Sequence, residues 1–412
     1  MHDAALMDAA DPLAPIRRRF HIPEGLIYLD GNSLGPLPHG VADRVAEAIT
    51  AQWGTSLIGG WNDHGWMDLP ARVGDRIATL IGAAPGTVVA ADSTTVNVAK
   101  VISAALRLRP DRRTVLSDSG NFPTDLYVTQ GVLDAMGGGH RLQVVAPEEV
   151  ADVLAGPETT DVAAILLTHV DYRTGRMHDM AALTGAAQDA GALAVWDLAH
   201  SAGAVPLSLQ ADLVDFAVGC SYKYLNGGPG APAFVYVAPA HANHAQPMLA
   251  GWMGHAAPFD FEPTHRPAEG VQRMRVGTPS VLALSALDAA LDAWEGVDMT
   301  AVRAKSVALT ERFIAGVQSR CAAHGLRLVS PRDPDRRGSQ VSFAHPDGYA
   351  IVQALIADGV VGDFRTPDVL RFGFTPLYTS YSDVDMAVQR LGTVLDERRW
   401  DQPTFRQRAA VT

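Results

Sequence analysis

Lys223 stands between an apolar run, residues 214–218, and a turn-rich stretch, Asn226-Gly227-Gly228-Pro229-Gly230. A second apolar run, 234–237, follows it. Upstream, Val195-Trp196-Asp197-Leu198-Ala199-His200 reads as a strand that ends in an acid, with a histidine three residues on. An acid at one strand end and a lysine after the next strand form the pair that pyridoxal phosphate (PLP) chemistry needs. The amine can hold the cofactor's aldehyde as a Schiff base. The carboxylate can keep the pyridine nitrogen protonated, so that the ring accepts carbanion electrons.

Other residues fit the same chemistry, each with a plainer alternative. Ser93-Thr94-Thr95-Val96-Asn97 lies between a strand and a helix. Free N–H groups and two hydroxyls at a helix N-terminus suit a phosphate, and also describe an ordinary helix cap. In Asn121-Phe122-Pro123-Thr124-Asp125, Phe122 can stack on a flat ring and Asp125 can hold the cofactor's polar rim; a turn with a core aromatic explains them equally. Tyr222 can reach phosphate or substrate, or be a strand-end aromatic. His200 can lean on the ring or sit in the core. Arg371, in Val369-Leu370-Arg371-Phe372-Gly373-Phe374, can clamp a carboxylate bidentately or form a surface ion pair. The joint placement of Asp197, His200 and Lys223 favours function, because ligands bind outside the carboxyl ends of parallel strands.

Elements that could position these residues are visible in the pattern. From residue 86, short apolar strands (88–91, 114–117, 142–145, 163–168, 192–196) alternate with amphipathic helices (96–106, 125–135, 180–190). That alternation predicts an α/β domain, a mostly parallel sheet covered by helices. Before it come an arm over 1–27 with a short helix, a strand running into a turn-rich loop at 28–38, a helix over 41–52, a loop at 59–66 and a helix over 69–81. After it, long helices are expected over 279–294 and 300–316. Strands at 326–329, 340–343 and 369–374 and helices at 350–358 and 384–395 then predict a smaller α+β domain. The division expected is 1–45 as an N-terminal segment packing with the small domain, 46–295 as the large domain and 296–412 as the small one.

Composition narrows the class. A net charge of −12 argues against a nucleic-acid surface. Two cysteines, Cys220 and Cys321, cannot build a disulfide framework, which suggests a cytoplasmic location. No Cys/His spacing suggests a metal site. The chain shows no signal-peptide pattern and no apolar stretch long enough to span a membrane.

The ordered motifs YLDGNSLGPLP, STTVN, NFPTD, THVDYRTG, DLAH, SYKYLNGGPG, GWMGH, RVGTPS and RFGFTPLY together resemble the kynureninase family over roughly residues 25–395. These are PLP enzymes of the class V aminotransferase group with the fold-type I architecture. The resemblance implies Lys223 as the Schiff-base lysine, Asp197 as the pyridine partner and His200 beside it. It implies cofactor contacts from Thr94, Thr95, Phe122, Asp125, Thr168 and Tyr222. Trp252 and Thr278 match residues supplied across a dimer interface, so a homodimer with shared sites is implied. Arg371 matches the carboxylate-binding arginine. Trp61 and Gly277-Thr278 match the kynurenine-preferring type; members that prefer 3-hydroxykynurenine carry histidine and Ser-Asn there.

The implied reaction is hydrolysis of L-kynurenine to anthranilate and L-alanine. Lys223 moves the α-proton, and Tyr222 is the candidate acid for the β-carbon, although a phenol of ordinary pKa is a weak acid. Two rivals fit less well. A cysteine desulfurase needs a nucleophilic cysteine on a mobile loop, and neither cysteine is so placed. A PLP-binding regulator would carry a DNA-binding domain or basic patch.

Overall fold

The computed structural model describes residues 2–408. Seven strands form the central sheet: β1 (Val88–Ala90), β2 (Thr114–Asp118), β3 (Arg141–Val145), β4 (Val162–Thr168), β5 (Leu193–Asp197), β6 (Phe216–Gly219) and β7 (Phe234–Val237). Their spatial order is β1-β7-β6-β5-β4-β2-β3. All neighbours are parallel except β7, which runs antiparallel to both β1 and β6.

Away from its exposed edge strand β3, the sheet is buried on both faces, and its strands show it. Every residue of β4 is buried, as expected where helices cover both sides. Side chains alternate between two cores along β5. Ala194 and Trp196 pack with Leu116, Phe234 and Tyr236 on one face; Leu193 and Val195 pack with Phe216, Val218 and Val235 on the other. The helix Thr94–Leu108 covers the second face with Val98, Val101, Ile102 and Ala105, the spacing of one helical stripe.

The smaller sheet is antiparallel, with strands β8 (Arg327–Leu328), β9 (Gln340–Ala344), β10 (Asp363–Arg365) and β11 (Val369–Gly373) in the order β10-β11-β9-β8. Its core centres on Phe313, whose ring lies 4.9 Å from Phe372 and 5.1 Å from Phe374. The N-terminal arm serves both cores. Ala4, Ile27 and Leu29 belong to the small one, while Leu13, Ile16 and Phe20 belong to the large one. The Asp8 carboxylate accepts from Tyr381 N at 2.7 Å, at the start of the helix Tyr381–Asp396.

Local details differ from expectation. The helix expected over 41–52 is α-helical only for Val41–Glu47 and continues as a π-helix over Ala48–Trp53. The expected loop at 59–66 contains a helical turn, Gly60–Asp63. The helix expected over 279–294 spans Val281–Ala290 and tightens into a 3-10 turn. Two short strands, Val360–Val361 and β10, were not expected; the first pairs in parallel with Ile27–Tyr28.

Candidate active site

Lys223 lies in the loop after β6, at the carboxyl ends of the parallel strands. Thr168 ends β4 and Asp197 ends β5 beside it. These residues line a cavity of about 210 Å³ together with Thr94, Thr95, Phe122, Asp125, His200 and Tyr222. Nine of the residues expected at the site are therefore brought together: Thr94, Thr95, Phe122, Asp125, Thr168, Asp197, His200, Tyr222 and Lys223.

The chain has three lysines, Lys100, Lys223 and Lys305. Lys100 is buried against Asp92 at 2.8 Å and the Met274 carbonyl at 2.6 Å. Lys305 is tied to Asp11 at 2.7 Å and the Pro376 carbonyl at 2.6 Å. Only Lys223 faces the cavity. Its Nζ lies 2.9 Å from His200 Nε2.

The loop that carries Lys223 is held by the N-terminal segment. Gly35 N donates to Tyr222 O at 2.8 Å. A Cβ on Gly35 would fall 2.3 Å from the Lys223 carbonyl oxygen, so only glycine permits this approach. That contact gives a physical reason for glycine in the YLDGNSLGPLP motif.

Two buried carboxyls form the inner wall. Asp197 accepts from Ala199 N at 2.8 Å. Burial raises its pKa, against the positive charge of Lys223. Asp125, in the first turn of the helix Pro123–Met136, is raised further, by burial and by Asp197. Its Oδ2 has no hydrogen-bond partner. Of the two, Asp125 is held the more strongly toward its neutral form, by burial and by the neighbouring Asp197 charge. Burial drives the His200 pKa well down, with Lys223 and Arg371 adding to it, so the imidazole stays neutral. Burial also raises the Tyr222 phenol, with Cys220 and Asp197 adding to it, which makes that phenol a weaker acid than a free one.

The rim is aromatic and hydroxylic. Phe122 is 42% exposed, and its ring meets Tyr172 edge-on at 5.1 Å. Thr94 and Thr95 open the helix Thr94–Leu108, whose cap Ser93 Oγ accepts from Val96 N at 3.3 Å. The first N–H groups of such a helix have no partner within it and point outward with the positive end of the dipole.

The remaining expected residues lie outside this cavity. Arg371 is buried on β11, where its guanidinium holds Asp363, the Tyr172 carbonyl and Ser33. Trp61 packs edge-on against Trp66 at 5.6 Å. Trp252 is 40% exposed beside Phe259. Met253 N donates to Val276 O at 3.3 Å, which brings the Trp252 segment alongside exposed Gly277 and Thr278.

Tyr172, Gln340 and Asp363 were not singled out from sequence. Tyr172 lies inside the THVDYRTG motif, which could have flagged it. Gln340 and Asp363 carry no comparable signal.

Comparison with known proteins bears on this geometry. A family model described as the kynureninase C-terminal domain matches residues 302–391. A kynureninase from Pseudomonas fluorescens is 49% identical over 416 residues, covering 100% of this chain and 99% of its own length. The chain belongs to the kynureninase family. A second member, from Burkholderia pseudomallei (strain 1106a), is also 49% identical and covers the whole chain. Among solved structures, a cysteine desulfurase from Thermococcus onnurineus NA1 superposes with a TM-score of 0.77 over 93% of this chain and 98% of its own, at 17% identity. That likeness concerns the fold alone, and it agrees with the expected α/β architecture. The cysteines of this kynureninase-family chain are both buried, and burial pushes the Cys321 thiol up to about 11. Neither is poised as a nucleophile.

Proposed function

We propose that this chain binds PLP in the Lys223 cavity and hydrolyses the Cβ–Cγ bond of L-kynurenine, giving anthranilate and L-alanine. The observation that carries the reading is the lone cavity-facing lysine opposite the buried Asp125–Asp197 pair, in a chain of the kynureninase family. The experiment is direct. Purified protein supplied with PLP and L-kynurenine should release fluorescent anthranilate, and no release under saturating PLP would overturn the reading.

The residues fit the cofactor. An amine, a buried carboxylate, an exposed aromatic face and a helix N-terminus line one cavity, and the orphaned Asp125 Oδ2 marks buried polarity without a partner. When bound, PLP supplies an electron sink for the substrate's α- and β-carbons. Lys223 would hold the cofactor covalently and then carry the α-proton. Asp197 would pair with the pyridine nitrogen. With Asp125 protonated, the direction in which burial and Asp197 push it, the pair would carry one negative charge, the amount that one pyridinium balances. Phe122 would lie on the ring, with Thr168 and His200 beside it. The N–H groups and hydroxyls at Thr94 and Thr95 would receive the phosphate. With its phenol raised by burial, Tyr222 would need the phosphate or a neighbouring group to help it deliver a proton to the β-carbon.

Arg371 would receive the substrate carboxylate. Four of its five N–H groups are engaged: Nε–H, both on Nη2 and one on Nη1. The remaining Nη1–H is the donor on offer.

A homodimer with shared sites completes this reading. Trp252 and Thr278 would act in the neighbouring subunit's cavity, consistent with their exposure in their own chain. Trp61, Gly277 and Thr278 would shape the ring pocket and favour L-kynurenine over its 3-hydroxy form. Among the described residues no helix is long and apolar enough to cross a membrane; a cytoplasmic location belongs to the same proposal.

A further inference from the structure

Gln340 is fully buried on β9, opposite Gly373 of β11. Its side chain leaves the small sheet and lies behind the Lys223 cavity, against His200 and the Tyr172 backbone, two of the residues that line it. Nε2 donates to the Tyr172 carbonyl at 3.0 Å and the Asp171 carbonyl at 3.3 Å. The turn that presents these carbonyls closes over the amide at Gly175, which is left-handed (φ +75); a Cβ there would lie 2.8 Å from Gln340 Cγ.

This wiring fixes which way the amide points. Carbonyls cannot donate, so the nitrogen must face them and Oε1 must face the other way. On that other side lie His200 Nδ1 at 3.1 Å and Asn32 Nδ2 at 3.4 Å. Oε1 can only accept, so His200 carries its proton on Nδ1. A neutral imidazole protonated there has its lone pair on Nε2. That lone pair faces Lys223 Nζ, 2.9 Å away.

We infer that Gln340 is a positioning residue for the reactive lysine: by accepting from His200 Nδ1 it fixes the histidine's tautomer and ring orientation, so that Nε2 receives a proton of the Lys223 amine. The inference rests on the reading of Lys223 given above. The same amide reaches the proposed carboxylate site, because the Tyr172 carbonyl that Gln340 holds also accepts from Arg371 Nη1 at 2.5 Å. One buried side chain from the small sheet thus touches the supports of both the lysine and the arginine. In metal sites, a partner that orients a histidine ligand changes activity by about 10–100-fold when removed, and the same scale is expected for orienting His200.

The test reads the tautomer directly, by ring-nitrogen NMR on histidine-labelled protein with and without PLP. The His200 signal is identified by its loss in His200→Phe. In the wild-type chain the signal should report a neutral ring protonated on Nδ1. In Gln340→Met, which keeps volume but removes the amide, that tautomer should no longer dominate, and kcat for L-kynurenine should fall about 10–100-fold with a smaller change in KM. Gln340→Glu, protonated in this buried place so that its O–H faces the two carbonyls and its C=O accepts from Nδ1–H, should restore the tautomer and part of kcat. An Nε2-protonated ring in the wild-type chain overturns the inference even if Gln340→Met does not fold. So does a tautomer unchanged in a folded Gln340→Met, or a changed one with unchanged kcat. The ring signal is read without turnover, so it stands or falls separately from the proposed reaction.

Discussion

Asp363 and Arg371 face each other in register across neighbouring strands, and the carboxylate takes the arginine's Nε–H at 2.7 Å as well as an Nη2–H. Both groups are almost wholly buried. The pair fixes the guanidinium and leaves one Nη1–H unengaged, the donor proposed to meet the substrate carboxylate.

Arg371→Lys keeps the charge but loses the planar fork. It should raise KM for L-kynurenine about tenfold or more, with a smaller effect on kcat. Arg371→Leu leaves the buried Asp363 carboxylate with Arg365 at 2.6 Å and Ser33 at 2.8 Å only, so the loss should stay below the roughly 3–5 kcal/mol that stranding one member of a buried pair costs. Steady-state kinetics and denaturant melts check the two effects. Unchanged KM in a folded Arg371→Lys would argue against the carboxylate role.

Asp30 supplies a pH prediction. Burial first, and Asp363 next, raise its pKa from 3.8 to about 7, against the pull of Arg371, Ser33 and Arg365. A carboxyl raised in the folded state binds its proton more tightly there than when unfolded. Its stabilising contribution is full below the unfolded value and is lost as pH rises through about 7. Asp30→Asn should therefore flatten the fall in stability between about pH 4 and pH 7. Urea midpoints across that range measure it; parallel pH curves for the two proteins would contradict it.

The fold and the lysine end of the site were legible for physical reasons. The run at 234–237 is apolar throughout and bounded by prolines at 232 and 239, so its limits coincide with β7. Asp197 ends, and Lys223 follows by a short loop, strands whose continuous apolar character marks them as buried. Val360–Val361 and β10 escaped because two or three residues carry no periodicity, and β10 reads Asp-Phe-Arg. Gln340 escaped because a polar residue on a strand acquires its meaning only from what lies across the fold. Trp252 and Thr278 carry no signal of their own within one chain, and their roles rest on the family resemblance.

Subunit sharing can be tested by complementation. Lys223→Ala and Trp252→Ala chains, each inactive or nearly so alone, should regain activity when mixed, because one hybrid site has both wild-type residues. The assay is anthranilate release from verified heterodimers, and no recovery would count against shared sites.

Substrate choice tests the ring pocket. An unpartnered buried hydroxyl costs about 1–3 kcal/mol, roughly tenfold to a hundredfold in kcat/KM. The wild-type chain should prefer L-kynurenine to 3-hydroxy-L-kynurenine by a factor in that range. Trp61→His with Thr278→Asn should narrow or reverse the preference. A wild-type preference for the hydroxylated substrate would sink the idea.

Every role proposed for this cavity depends on Lys223 being the amine that holds PLP. The most direct measurement is borohydride reduction of the PLP-loaded protein, followed by mass mapping of the three lysines. The modification should fall on Lys223, and Lys223→Ala should show neither the modification nor anthranilate release. A cofactor trapped on Lys100 or Lys305, or full activity in Lys223→Ala, would contradict the account.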